Sequence, residues 1–329
     1  MAILVTGGLG YVGSHAVKQL VDRGEQVISL DNLVFGHTEA ACGSEVVVGD
    51  IGDRDLLNRV FSSHQIDAVM HFAAFADVGE SVADPRKYYV NNISNSLAML
   101  DVMVEHGVKK MIFSSSAATF GEPEIVPIPE DHPKTPTNPY GRSKLMLEEI
   151  LKEYEHAYGL RSISFRYFNA SGADPSGLIG EDHTPEHHLI PIILQVALGQ
   201  REKISVFGTD WPTPDGTCVR DYVHVTDLAQ AHLRGLDALR DGKSTTAYNL
   251  GNGNGYSVLE VIRVVEEVTG KKISVVGTQR RPGDPAVLVA SSEKIVNELG
   301  WDPKFPDLRT IVQTAWNWHS AHPNGYGGK

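Results

Sequence analysis

Six short runs of apolar, largely β-branched residues, at 3–6, 26–30, 46–48, 68–72, 111–114 and 162–166, alternate with segments of helical periodicity such as 15–23, 53–62 and 94–105. The runs are apolar at successive rather than alternate positions, so both faces of each strand must be covered. The segments between them supply that cover as right-handed crossovers, and the first half predicts an α/β fold built on a doubly wound parallel sheet. Beyond residue 170 the pattern loosens into Pro- and Gly-rich loops, with helices expected at 190–198, 225–239, 258–268 and 292–299. A sheet domain over 1–170 and a smaller mixed α/β lobe over 171–329 are expected, with segments near 225–251, above all 247–251, returning to the sheet. No repeat or low-complexity tract interrupts the chain, and only 324–329 reads as a dispensable tail.

A chain of 329 residues, 41% hydrophobic and 21% charged, has an ordinary globular composition and can bury a sizeable core. No apolar stretch approaches the ~20 residues of a membrane span. Met1-Ala2 leads directly into an apolar run without the regions of a secretory leader, so the cytoplasm is the expected address. Cys42 and Cys218 are too few for a disulfide framework and lie in no metal-type spacing. A formal charge of −12 repels polyanions and argues against a nucleic-acid partner, while a few local arginines can still hold a small anion.

The first apolar run ends in Gly7-Gly8-Leu9-Gly10-Tyr11-Val12-Gly13, which precedes a helical segment. A glycine fingerprint in that setting fits dinucleotide binding: one glycine for a tight turn, one for backbone approach to a pyrophosphate, one for helix packing. Asp31 ends the second run about twenty residues on, where a carboxylate accepts hydrogen bonds from an adenosine ribose and repels a 2′-phosphate. NAD is thereby favoured over NADP. Asp50-Ile51 ends the third run and Phe72-Ala73-Ala74-Phe75-Ala76 the fourth; each is either a cofactor contact or plain strand-end structure.

Ser114-Ser115-Ser116 ends the fifth run, and Ser116 is a candidate proton relay or, alternatively, a helix cap. Tyr140-Gly141-Arg142-Ser143-Lys144 then sets a phenol and an ammonium one helical turn apart. A free phenol titrates near ~10, and a fixed cation favours its phenolate. Ser116, Tyr140 and Lys144 together supply a hydrogen-bond donor, a base and a tuning cation, the set required for NAD-dependent alcohol and ketone chemistry. His183 and His187 are four apart, but HExxH is absent and Pro185 interrupts the segment, so no metal is expected. No GxSxG elbow anchors hydrolase chemistry.

GGLGYVG, LDNL, GDI, HFAAFADVGES, YYVNN, FSSSAATFGEP, NPYGRSK, RYFNASGADPSG, GEDH, DGTCVRDYVHV, YNLG and RRPGD follow one another along nearly the whole chain. In these motifs and their order the chain resembles the UDP-glucose 4-epimerases (UDP-galactose 4-epimerases) of the extended short-chain dehydrogenase/reductase family. The resemblance implies a Rossmann sheet, bound NAD and inversion of carbon 4 of a UDP-hexose. Tyr140 would take the 4-hydroxyl proton as hydride passes to NAD, the 4-keto sugar would rotate, and the hydride would return to its other face. Ser116 would share the proton path and Lys144 would hold the nicotinamide ribose.

By the same matching, Gly7, Gly10, Tyr11, Val12, Gly13, Asp31, Asn32, Asp50, Ile51, Phe72, Ala73, Ala74, Ala76, Asn91 and Phe168 fall on cofactor positions. Ser116, Asn169, His188, Leu189, Phe207, Arg220, Arg281, Asp284 and Leu288 fall on nucleotide-sugar positions. Ala117-Ala118 replace the Asp-Glu pair of related 4,6-dehydratases and transfer no proton, so elimination of water is disfavoured. Three residues depart from the family pattern: Ala76 stands where some members carry lysine, His188 for a common asparagine, and Leu288 for a common tyrosine facing carbon 2. The first would remove a cationic cofactor contact, the second would make binding pH-dependent, and the third would admit N-acetylated sugars. The apolar faces of 94–105 and 145–158 fit either a homodimer contact or burial against their own sheet. Alternatives are a 4-epimerase for another UDP-sugar, such as UDP-N-acetylglucosamine or a pentose, and a non-catalytic NAD-sensing module.

Overall fold

A computed structural model describes residues 1–281 and 284–327. Pro282 and Gly283 of the RRPGD motif, and Gly328 and Lys329, lie outside the described residues. The first half runs β1 (Ala2–Thr6), α1 (Tyr11–Asp22), β2 (Gln26–Asp31), β3 (Glu45–Val48), α2 (Arg54–Ser63), β4 (Ile66–His71), α3 (Val78–Ala83), α4 (Pro85–Tyr89), α5 (Asn95–Glu105), β5 (Lys110–Ser116), α6 (Pro139–Tyr158) and β6 (Arg161–Tyr167). The second half runs β7 (Asn169–Ser171), α7 (Leu189–Ala197), β8 (Ile204–Phe207), β9 (Val219–His224), α8 (Val225–Arg240), β10 (Thr246–Leu250), β11 (Gly255–Ser257), α9 (Val258–Thr269), β12 (Val275–Thr278), β13 (Val287–Leu288), α10 (Glu293–Leu299) and α11 (Leu308–Ala321).

Seven parallel strands form the central sheet in the order β10-β6-β5-β4-β1-β2-β3. The chain moves outward from β1 to β3 and then resumes on the other side of β1 with β4. That reversal leaves a crevice at the carboxyl ends of β1 and β4, where such sheets bind ligands. One face of the sheet packs on α2, α5 and α6 through Leu57, Phe61, Met99, Leu100, Leu147 and Leu151. The other packs on α1 and α8, with Val17, Leu20, Leu228, Leu236, Ile295 and Trp301 in its core. The strands need this double cover because they are apolar throughout, with one exception. β3 is the sheet edge, and Val46 and Val48 are exposed there, so double burial does not extend to it.

A third core joins α7, β8, α9 and α11, while β9 carries β7, β11 and β13. Helix ends follow local chemistry: Asn138 caps α6 ahead of Pro139, Ser257 and Glu260 form a capping box on α9, and Gly159 and Gly270 end α6 and α9 with positive φ. The helix α11 has no counterpart among the helices expected from the sequence. The expectation of a dispensable tail is likewise corrected. Tyr326 donates its backbone N–H to Asp182 at 2.9 Å and stacks on His37 at 4.9 Å, because an aromatic ring there completes the packing over Trp318. Among the described residues no helix is long and apolar enough to cross a membrane.

Candidate active site

The carboxyl edge of the sheet gathers Gly7 after β1, Asp31 on β2, Asp50 beyond β3, Phe72 after β4, Ser116 on β5 and Phe168 after β6. Tyr140 enters from the first turn of α6 and is buried with Ser116 and Lys144. Gly141 explains how the helix comes so close, since a Cβ there would meet the Ala118 carbonyl oxygen at 2.3 Å. Gly141→Ala is expected to push the turn off the end of β5, costing about 1–3 kcal/mol of stability and, through misplacement of Tyr140, roughly 10²-fold in kcat. Initial rates and urea unfolding of the same variant check both.

The Ser116 hydroxyl accepts the Ala118 N–H at 3.1 Å, capping a short helical turn, and lies near enough to the Tyr140 phenol to favour its ionised form. Burial raises the Tyr140 phenol above its usual value and the Ser116 hydroxyl opposes this. Lys144 Nζ lies 5.8 Å from the centre of the Tyr140 ring and donates instead to the Ser114 carbonyl at 2.8 Å. Burial pushes its ammonium down to about 7, with Glu148 opposing. A lowered phenol is therefore not a property of the chain alone; it needs a further positive charge in the crevice.

The glycine turn is built for close approach. Gly7 has φ +68° and a Cβ there would meet Ala73 N at 2.6 Å; a Cβ on Gly13 would meet Gly7 O at 2.0 Å. Gly10 differs, because its Cβ would meet only Gly7 O at 3.5 Å. It caps α1 with no side chain, and no acidic residue occupies the first turn. A twelve-residue helix thus presents its positive end to open space, which fits an anionic diphosphate.

Asp31 is buried and accepts from Leu9 N at 3.1 Å and Leu33 N at 2.9 Å, fixing its carboxylate beside the turn. Asp50 accepts from Asn32 Nδ2, Gly52 N and Asn95 Nδ2, with Ile51 buried behind it. Tyr11 spends its hydroxyl on Gly172 O at 2.6 Å, tying the turn to the second half of the chain. Val12, Ala73, Ala74, Asn91 and Phe168 are partly buried and Ala76 is exposed. Beside Asn91, the sequence reading missed Asn92, whose amide bonds both Phe75 N and Phe75 O at 3.0 Å and reaches Ser143 on α6.

Six of the nine expected nucleotide-sugar positions, Asn169, Phe207, Arg220, Arg281, Asp284 and Leu288, gather around β9. Leu288 pairs with Arg220 across β13 and β9, Asp284 lies 3.8 Å from Arg220 and 3.5 Å from Arg281, and the Arg281 guanidinium sits 4.2 Å over the Phe207 ring. Two guanidinium groups beside one carboxylate leave positive charge for a diphosphate. Asn169 donates to the Asp221 carbonyl at 2.7 Å, and Leu189 opens α7. Burial would lower the His188 imidazole, yet Glu181 and Glu186 hold it well above its usual value, so a titration of His188 near neutrality is not what the structure gives.

Asp221 carries no signal of its own in the sequence, although it stands inside DGTCVRDYVHV. Fully buried, it accepts from the backbone N–H groups of Asn252, Gly253 and Ala290, and burial pushes its carboxyl up to about 7. It thereby fixes β9 and Arg220 against the loops that follow β10 and β13. Asp221→Ala is expected to cost at least ~1–3 kcal/mol, because buried donors lose their acceptor; denaturant unfolding measures it.

The model of the NAD dependent epimerase/dehydratase family matches residues 3–251. The UDP-glucose 4-epimerase of Halalkalibacterium halodurans is 56% identical over 326 residues, covering 99% of this chain and 98% of that one. The crystal structure of the Brucella ovis UDP-glucose 4-epimerase in complex with NAD superposes with a TM-score of 0.94 at 44% identity, covering 96% and 97% of the two chains. That of the Bifidobacterium longum enzyme in complex with NAD+ and UDP gives 0.94 at 41% identity, covering 99% and 100%. In sequence and in fold, the chain belongs to the NAD dependent epimerase/dehydratase family and, within it, to the UDP-glucose 4-epimerases.

Proposed function

We propose that Ser116, Tyr140 and Lys144 carry the inversion of carbon 4 of a UDP-hexose, between UDP-glucose and UDP-galactose, in an NAD-dependent enzyme. The observation that carries this reading is the burial of Tyr140 together with Ser116 at the sheet's carboxyl edge, one helical turn from a buried Lys144. What bound NAD supplies is reversible acceptance of hydride from carbon 4, together with a positive charge in the crevice. Tyr140 takes the proton of the 4-hydroxyl in one direction and returns it in the other, and Ser116 holds the sugar oxygen on the same path. Lys144, fixed by the Ser114 carbonyl, offers its remaining N–H groups to ribose hydroxyls. Gly7, Gly10 and Gly13 admit the diphosphate of the cofactor, and Asp31 takes the adenosine ribose. Phe207, Arg220, Arg281 and Asp284 hold the nucleotide of the substrate, with the positive charge of the two arginines on its diphosphate.

Ala117 and Ala118 hold no proton, so the reaction stops at reversible oxidation. Leu288 leaves a smaller wall than tyrosine and supports UDP-N-acetylglucosamine as a second substrate. Incubating the purified protein with UDP-galactose, without added NAD, should yield UDP-glucose. Cofactor binding with no turnover would instead identify an NAD-sensing module. UDP-N-acetylglucosamine run in parallel should turn over detectably, and a background rate beside brisk UDP-galactose conversion removes the Leu288 reading. We also propose a cytoplasmic homodimer joined through the outer faces of α5 and α6, where Met146 and Tyr158 stand exposed. Light scattering that returns the monomer mass would discard the pairing.

A further inference from the structure

The segment before α7 folds four potential metal ligands onto one point. Glu181 and Glu186 are only 3% and 7% exposed, and among the described residues their ion pairs are all with His183 and His188. One ligand atom from each of the four lies within 4.8 Å of every other. His188 Nδ1 stands 2.7 Å from Glu181 Oε1 and 3.0 Å from Glu186 Oε1, while His183 Nδ1 stands 3.2 Å from Glu181 Oε1 and 3.8 Å from Glu186 Oε2. His187, paired with His183 by its spacing in the sequence, faces Asp77 at 3.4 Å and takes no part.

Glu181 Oε1 and His183 Nδ1 are buried and, 3.2 Å apart, make no aligned hydrogen bond to each other, while Glu181 Oε1 also faces His188 Nδ1 at 2.7 Å. Polar atoms at that distance but out of alignment are what ligands aimed at a common centre look like. Zinc with bonds of ~2.0–2.2 Å to imidazole and carboxylate places its tetrahedral ligand atoms about 3.3 Å apart, inside the spread seen here. Calcium and magnesium take six or more oxygen ligands and do not suit two imidazoles. Glu186 Oε1 is further held by the backbone N–H groups of His187 and His188 at 2.7 and 2.8 Å, the kind of outer support that orients a ligating carboxylate.

We infer that Glu181, His183, Glu186 and His188 form a structural site for one zinc-like divalent cation. Two carboxylates match its charge once His188 gives up its proton on binding, and four protein ligands close the coordination sphere. The His183 ring lies edge-on to Tyr11 and to Phe35, both at 6.2 Å. The ion would therefore clamp the loop leading into α7 against the glycine turn of the sheet. This placement does not depend on the reaction assigned to Tyr140.

The test uses tag-free, full-length protein incubated with zinc and desalted. Elemental analysis should return about one zinc per chain, and cobalt substitution should give the intense visible bands of a four-coordinate site. Glu181→Gln and His183→Asn should each lose both signals. Zinc should raise the melting temperature of the wild type and a chelator should reverse it, a readout that survives failure of either variant to fold. Sub-stoichiometric zinc with no cobalt spectrum and no thermal shift would make the cluster a proton-sharing network and overturn the inference. Full metal content in both folded variants would overturn it equally.

Discussion

Tyr140→Phe is expected to lower turnover of UDP-galactose by roughly 10²–10⁴-fold or more, the range that a positioned acid–base group contributes. The substitution keeps the ring that packs against Tyr88, with centroids 6.5 Å apart, and removes only the hydroxyl. Ser116 is a poor substitute base, because its hydroxyl already accepts the Ala118 N–H and, among the described residues, no carboxylate or imidazole hydrogen-bonds it. The fold should hardly notice, since one hydrogen bond is worth about 0.5–1.5 kcal/mol net. Rates and melting curves measured together separate the two roles. Near-wild-type turnover would take Tyr140 out of the proton path, and a collapsed melting temperature would make it a structural residue.

Glu148→Ala should produce the largest loss of stability, about 3–5 kcal/mol. Glu148 and Arg166 are both 4% exposed and face each other through contacts of 2.5 to 3.2 Å, with the Ser115 hydroxyl donating to Glu148 as well. Removal of the carboxylate leaves a buried guanidinium with, among the described residues, only the Glu130 carbonyl to hydrogen-bond and the Phe120 ring at 5.2 Å. Activity should fall too, because Glu148 lies one turn beyond Lys144 on α6 and joins that helix to β5 and β6. Replacing both members, as Glu148→Leu with Arg166→Met, should recover part of the stability, since an apolar pair of similar volume avoids the stranded charge. A double variant as unstable as Glu148→Ala would show that packing, not the ion pair, sets the loss.

The contrast between Tyr140 and Glu148 shows what a sequence can reveal. The sheet was legible because apolar periodicity is a local property, and β1, β2, β4, β5 and β6 all fall on the short runs. The glycine turn, Asp31 and Tyr140 with Lys144 were legible because their spacing carries a mechanism. Glu148, Arg166, Asn92 and Asp221 carry none in the sequence. Their meaning comes from partners far along the chain, and a buried charge looks like a surface one until its partner is placed. The same holds for the cluster at 181–188: spacing pairs His183 with His187, whereas the turn of the loop selects His188. The exposure of β3 was missed because an apolar run does not say whether its strand has a neighbour on both sides.

The strand β10 and the helix α8 also order events in time. Leu228, Leu236, Tyr248 and Leu250 complete the core behind β1, β4 and β6, yet they leave the ribosome after the segments that build β7, α7, β8 and β9. A nascent chain that has just released β6 holds one finished face and one covered only by α1, without the α8 and β10 side chains that pack with Phe165 and Ile163. Closing that face takes contacts between distant parts of the chain, which makes folding slow and leaves an apolar sheet open to solvent during synthesis. The sheet face behind the cofactor crevice therefore closes only once the second half of the chain has been made.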